Sequence, residues 1–456
     1  MEIITKAGKI NGIEEKDHIE YRGIKFATAG RFEYAVPVTD FSEVKDRLTP
    51  DGSYDATYYG DVCTQKRIWY EHLENPTRMF YYKEFREDIS FNYSEDCLYL
   101  NICTPLEPSD CPVIIFIHGG GFDSGSNYDS AIDGIALSKK GAVVVTIQYR
   151  VGVFGYLTDE KIKEEYGREG NFGQDDIFTA VKWVKDNIKD FGGDPENITL
   201  MGQSAGAISI QYLCLSKKSE GLFKHVIMMS GGGMFPKFAL PRPAESTREY
   251  WLDVRNTAGA KTFEDFKNLD AKKIFDAIEI VKEKRKDGIY NTMPVIDGYL
   301  IEKPVDVLIK NPLKIDYMIG YTNNDMYAPV MAHIGHKFGK AVGAYLYYFD
   351  VDAPGGDGNA AFHSADIRYL LGTLKNSFRP YDEEDEKVSE YMMERVIAFA
   401  KTGDPDNGGV KWENAGRKSL HVVKPVSEIK MSRPGWGKLI NNMIKKGDPK
   451  YVEVSS

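Results

Sequence analysis

Across its 456 residues the chain carries 58 Lys and Arg against 68 Asp and Glu. The resulting net charge of -10 argues against nucleic acid and anionic membrane surfaces as partners and favours solubility. Hydrophobic residues make up 42% and charged residues 28%, enough apolar material for a large core, and no apolar run approaches the length of a membrane span.

Residues 1–60 alternate short apolar segments with Gly, Pro and charged turns, the pattern of a small antiparallel sheet. The first ten residues hold no apolar h-region and no small-residue cleavage site; a chain that starts there is expected in the cytoplasm. The stretch 61–94 is rich in aromatics (Trp69, Tyr70, Phe80, Tyr81, Tyr82, Phe85, Phe91 and Tyr93) and reads as a long surface loop, a kind of segment that is often functional. Strands follow at 95–102 and 112–118, the second a continuous apolar run suited to a parallel sheet buried on both faces. A helix is predicted over 130–140, a buried strand over 142–150, and an amphipathic helix over 175–189 with Phe178, Val181, Trp183, Val184 and Ile188 as its apolar positions. Another strand runs over 223–230, residues 243–288 read as charged helices, 294–300 as a turn, 317–320 and 345–349 as strands, and 385–402 as a helix. Strand–helix alternation of this kind specifies an α/β protein, a mostly parallel sheet with helices on both faces. With no repeat, linker or second core in view, one domain spanning 1–456 is the economical reading, with helical insertions at 243–290 and 326–360.

Five cysteines (Cys63, Cys97, Cys103, Cys111 and Cys214) show no metal-ligand spacing, and an odd, sparse set of this kind reads as mostly free thiols in a reducing compartment.

The chemistry centres on Gly202-Gln-Ser-Ala-Gly206, between the apolar run 198–201 and a helix-forming stretch. This is the G-x-S-x-G nucleophile elbow, in which a sharp strand-to-helix turn holds a serine hydroxyl out at a helix N-terminus. Alone the pattern is weak, and its neighbours decide it. His118-Gly-Gly-Gly121 follows a buried strand and is the HGGG-type loop that supplies oxyanion donors, with Gly120, Gly121 and Ala205 as the expected N–H groups. His118 then has a structural part. A serine needs a base and a carboxylate to orient it. Of the later histidines, His225 precedes a buried strand, His333 and His336 lie on a surface helix, and His421 falls in a tail strand. His363 sits in a loop among small residues, as a base would. Asp325, shortly after the 317–320 strand, is the best placed acid, with Asp297, Asp350 and Asp352 as further candidates.

Together these residues resemble the type B carboxylesterases, the family of bacterial para-nitrobenzyl esterases, mammalian carboxylesterases and cholinesterases. The matching blocks run nearly end to end: Tyr21-Arg-Gly-Ile24, Ser94-Glu-Asp-Cys-Leu-Tyr-Leu-Asn101, His118-Gly-Gly-Gly-Phe122, Tyr149-Arg-Val-Gly-Val-Phe-Gly155, Gly170-Asn-Phe-Gly173, Phe191-Gly-Gly-Asp-Pro-Glu-Asn197, Gly202-Gln-Ser-Ala-Gly-Ala207 and Lys401-Thr-Gly-Asp-Pro405. The resemblance implies an α/β-hydrolase fold with a reduced helical lid, and a cofactor-free, metal-free serine carboxylesterase acting on a small-molecule ester. It implies a triad Ser204–Asp325–His363, with Asp where the family usually has Glu. Phe122, Gln203 and Met326 are the expected substrate-binding residues; Gln203 stands where cholinesterases carry Glu, which weakens the case for cationic substrates. Cys63 and Cys97 occupy positions where the family often has a disulfide. Arg31 with Glu95, and Arg150 with Asp176, match its structural ion pairs. Only 37 residues separate Asp325 from His363, where the family usually places a substantial helical region, so a shallower, more open pocket is expected. Two competing readings are an esterase of feruloyl or acetyl groups on plant cell-wall material, and a non-catalytic adhesion protein of the same fold.

Overall fold

The computed structural model describes residues 1–66, 76–233, 240–285, 291–325, 328–356, 358, 360–414 and 418–432, with the side chains of 77–78 and 328–334 left aside. The apolar runs do what their composition requires. Among the described residues, eleven strands join in one sheet: β1 (Ile13–Glu14), β2 (Ile19–Lys25), β3 (Tyr99–Thr104), β4 (Cys111–Ile117), β5 (Val143–Ile147), β6 (Gly193–Gln203), β7 (His225–Met229), β8 (Asp316–Thr322), β9 (Tyr345–Phe349), β10 (Ser419–Val422) and β11 (Lys430–Ser432). Their spatial order is β11-β10-β9-β8-β7-β6-β4-β5-β3-β2-β1. From β5 through β4, β6, β7, β8 and β9 to β10 every pairing is parallel, and the outer strands pair antiparallel. Parallel strands need crossovers, which cover both faces; accordingly Val113, Ile115 and Ile117 of β4 enter one core cluster while Ile114 and Phe116 enter another.

The helices that matter for the site are α1 (Pro76–Phe85), α2 (Phe172–Asn187), α3 (Ala205–Leu215), α4 (Glu245–Thr257), α5 (Ala271–Arg285), α6 (Ala328–Val342), α7 (Ile367–Leu371) and α8 (Glu383–Thr402). α3 is fully buried along its length. α8 starts at a capping box in which Asp382 and Asp385 exchange side-chain and backbone bonds, and ends at Gly403 in the left-handed conformation. The 37 residues between the predicted acid and histidine hold α6 and β9; α6 lies on β8, with Phe338 edge-on to Tyr317 at 5.8 Å.

Several sequence expectations are corrected. The stretch 61–94 is not a plain loop: it contains α1, whose Phe80, Tyr81 and Phe85 pack against the second core cluster; Trp69 and Tyr70 lie outside the described residues. The N-terminal 60 residues are not a separate antiparallel sheet, because 13–14 and 19–25 join the main sheet and the small sheet contains a parallel pairing of 10–11 with 54–55. The helix predicted over 130–140 shrinks to Ile135–Lys139, with the Asp133 carboxylate accepting from the Ile135 N–H ahead of it. The helix predicted from Asp175 begins earlier, at Phe172, and yields to a tighter turn at Ile188.

Arg150 and Asp176 form an ion pair at 2.7 Å with side chains 3% and 0% exposed. Arg150 also donates to the Glu33 carbonyl at 2.7 Å, and its own N–H reaches Asp176 at 3.0 Å. Arg31 and Glu95 pair nearer the surface. Cys63 and Cys97 are both buried and remain thiols, as do the other three cysteines; the Cys97 thiol is pushed up by burial and by its neighbour Cys63.

Candidate active site

β6 ends at Gln203 and α3 starts at Ala205, leaving Ser204 alone on the turn at φ 52°, ψ -120°. Such a backbone is strained for a residue with a side chain, and it is held on both flanks. The Ser204 N–H donates to the Met229 carbonyl at 2.9 Å, and the Ile208 N–H donates to the Ser204 carbonyl at 2.9 Å. Gly206 is required because a Cβ there would lie 2.1 Å from the Ile117 carbonyl oxygen of β4. Gln203 and Ala205 are buried, whereas Ser204 keeps partial exposure.

The loop after β4 brings the expected oxyanion donors beside it. Gly120 sits at φ 114°, and a Cβ would meet the Ser124 carbonyl oxygen at 2.0 Å. The N–H groups of Gly120, Gly121 and Ala205 find no protein acceptor among the described residues, which leaves three donors open for a ligand oxygen. His118 is structural, as expected. Its ring stacks on Tyr149 at 4.3 Å and its Nδ1 donates to the Gly119 carbonyl at 2.8 Å. Burial pushes its pKa down to about 3, so it stays neutral.

Asp325 lies just beyond β8 and His363 in the longer loop that follows β9, its neighbouring parallel strand. Asp325 is 1% exposed, and its Oδ1 accepts from His363 Nδ1 at 2.6 Å. The two loops are themselves joined where Asp325 meets His363: Asn324 and Phe362 form a parallel bridge, with the Asn324 N–H donating to the Ala361 carbonyl at 2.9 Å. With its proton on Nδ1, the imidazole presents Nε2 as an acceptor, and the Gln203 amide donates to it at 3.1 Å. The histidine therefore faces the residue adjoining Ser204.

Among the other aspartates and histidines considered for these roles, the His333 side chain lies outside those described, and the rest are engaged elsewhere or turned to solvent. Asp297 caps its own turn, accepting from the N–H groups of Tyr299 and Ile301 at 2.9 and 3.0 Å. Asp350 pairs with His421 at 3.0 Å, and Asp352 is exposed. His225 binds Asp316 at 2.8 Å, and His336 lies 3.4 Å from the Tyr321 hydroxyl. Of the predicted substrate-binding residues, Gln203 meets His363, and Phe122 is 1% exposed, packed edge-on to Tyr156 at 5.3 Å in a cluster with Ala205 and Ile208. Met326 lies outside the described residues.

Sequence reasoning missed two neighbours of His363. Tyr81 donates to the His363 carbonyl at 3.2 Å; the helical spacing of Tyr81 and Phe85 was the available signal. Asp366, three residues after the histidine, is fully buried and its Oδ2 accepts from the Tyr347 hydroxyl at 2.7 Å. Its carboxyl is raised to about 6, chiefly by burial.

A mostly parallel sheet carrying a serine elbow, followed in chain order by an acid and a histidine on adjacent strand ends, is an α/β-hydrolase. The chain belongs to the carboxylesterase family, whose model matches residues 1–342 and 326–434. It is 28% identical to para-nitrobenzyl esterase of Bacillus subtilis (strain 168), with 94% of this chain and 95% of that protein covered. It is 36% identical to fumonisin B1 esterase of Sphingopyxis macrogoltabida over 69% of this chain and 54% of that one. A solved PNB esterase structure superposes with a TM-score of 0.81 at 24% identity, covering 97% of this chain and 99% of the other.

Proposed function

We propose that the chain is a serine carboxylesterase that hydrolyses small carboxylic esters through an acyl-enzyme, without metal or cofactor. His363 Nε2 takes the Ser204 proton as the hydroxyl attacks the ester carbonyl, and the N–H groups of Gly120, Gly121 and Ala205 receive the oxyanion. The imidazolium then protonates the leaving alkoxide and, in the second half, His363 activates water against the acyl-enzyme. Asp325 holds the Nδ1–H tautomer and stabilises the imidazolium. The observation that carries this reading is the 2.6 Å bond from His363 to Asp325, with Nε2 meeting the amide of Gln203, the residue before Ser204, at 3.1 Å.

The uncharged Gln203 favours neutral esters. A second group of substrates, esters of planar aromatic acids such as ferulate, is tested beside them. The five free thiols support a reducing compartment. Among the described residues no helix is long and apolar enough to cross a membrane.

The test is hydrolysis of p-nitrophenyl acetate, butyrate and octanoate and of methyl ferulate, wild type beside Ser204→Ala. Turnover lost in the variant is expected. A folded wild type inert on all four would point instead to a binding protein.

A further inference from the structure

His363 is carried by a loop with two non-glycine residues at positive φ, Ala360 at 46° and Ser364 at 85°. Conformations of this kind cost about 1–3 kcal/mol each and persist only where the surroundings over-determine them. The Asn324–Phe362 bridge fixes one side of the loop. The other side rests on α1. Phe80 meets the Phe362 ring edge-on at 5.0 Å, Tyr81 meets it at 6.5 Å, and the Tyr81 hydroxyl donates to the His363 carbonyl at 3.2 Å.

α1 is itself anchored from behind. The buried Glu84 carboxylate accepts from Arg379 Nε at 2.7 Å, and Arg368 of α7 donates to the Glu84 carbonyl. The Ser130 N–H donates to the Phe85 carbonyl at 3.0 Å. Ahead of α1, Gln65 binds Gly125 in both directions, at 3.0 and 3.1 Å, at the end of the glycine loop. The segment thus spans both halves of the site: its start grips the loop of oxyanion donors and its helix grips the histidine.

We infer that Tyr81 is a positioning residue for the reaction. By donating to the His363 carbonyl while Phe80 pins Phe362, it holds the strained loop in the setting in which Nδ1 meets Asp325 and Nε2 meets the Gln203 amide beside Ser204. This rests on His363 being the base. The side of the loop that carries the Phe362 ring is covered by α1.

Tyr81→Phe keeps the ring packing and removes only the donor; Phe80→Leu removes the edge-on contact and keeps the donor. For p-nitrophenyl butyrate both variants are expected to lower kcat roughly 10-fold with KM within about twofold, the size of effect that slight misplacement of a catalytic group produces, and Tyr81→Phe should keep the wild-type urea midpoint. The acid limb of its kcat/KM profile should move, because a looser loop weakens the Asp325 bond. His363→Ala and His363→Ala/Tyr81→Phe run beside them. If His363→Ala turns over substrate freely, the catalytic reading itself fails. If it is dead while Tyr81→Phe shows wild-type kcat and pH profile, or loses activity only in step with folded protein, the inference about Tyr81 alone is overturned. Loss in Tyr81→Phe that adds nothing in the His363→Ala background supports it.

Discussion

Asp366→Asn removes a carboxylate that the fold holds wholly out of water. Asp366 occupies the N-cap position of α7 but makes no capping bond; its side chain turns inward, where Oδ2 receives the Tyr347 hydroxyl and Oδ1 has no hydrogen-bond partner among the described residues. Burial raises its pKa, the Tyr347 bond lowers it, the Asp325 carboxylate raises it and His363 lowers it, and the net result is a rise from 3.8 to about 6. The native state therefore holds this proton more tightly than the unfolded chain does. Its contribution to stability is fully present below about pH 4 and is lost as the pH climbs through about 6. A gap of about two pH units corresponds to roughly 3 kcal/mol, a ceiling on what the buried anion costs at pH 8. Asparagine still accepts from Tyr347 and carries no charge at any pH. The variant should match the wild type near pH 4 and be more stable by up to about 3 kcal/mol at pH 8, read by urea unfolding at intervals between. Asp175, also raised to about 6 by burial, is common to both proteins and cancels. A stability difference that does not grow with pH would refute the reasoning. Activity should move the other way: the imidazolium formed in turnover loses a neighbouring anion, so kcat/KM falls and its acid limb shifts to lower pH.

Asp325→Asn should lower kcat by roughly 10⁴-fold with KM little changed, since it leaves the imidazole in the wrong tautomer; steady-state kinetics on p-nitrophenyl butyrate checks it. Gly120→Ala puts a methyl 2.0 Å from the Ser124 carbonyl oxygen, which must displace an oxyanion donor, and a fall of about 10²–10³ in kcat is expected. Asp176→Asn strands the buried Arg150 charge and should cost about 3–5 kcal/mol of stability in urea unfolding, with kcat of the folded fraction near wild type.

The parts legible in the sequence are those set by local rules. Val113 to Ile117 reads as a strand buried on both faces, and Gly202 to Gly206 reads as an elbow once the His118–Gly121 loop and the later acid and histidine are taken with it. His363 was reached by excluding histidines in strands and helices; of those, His225 is paired with Asp316 and His421 with Asp350. What the sequence hid is long-range. Whether aspartate could serve in place of a longer acid depends on the bridge between Asn324 and Phe362, which no spacing reveals. α1 was hidden because its aromatic residues sit in a stretch dense in aromatics, where helical periodicity is blurred. Asp366 carries no local mark that separates it from the chain's many surface carboxylates, and only its inward turn to Tyr347 sets it apart.

The distribution of strain ties these findings together. Among the described residues, eight other than glycine have positive φ: Phe32, Asp110, Phe122, Asn171, Ser204, Ser230, Ala360 and Ser364. Phe122 closes the glycine loop, Ser204 is the elbow, Ser230 follows β7 directly behind it, and Ala360 and Ser364 flank His363. Five of the eight thus lie on the loops that leave the C-terminal ends of β4, β6, β7 and β9, while no residue inside those strands other than glycine has positive φ. A strained loop holds its setting only if its ends are immobile, and here each is rooted in a parallel strand with buried neighbours on both faces. Turns that are costly locally are tolerated because the strands that root them are paired and buried, and the elements with the least sheet contact need an external brace. The histidine loop, rooted in β9 and resting on α1, is the clearest case, which is why a helix far away in sequence is placed against it.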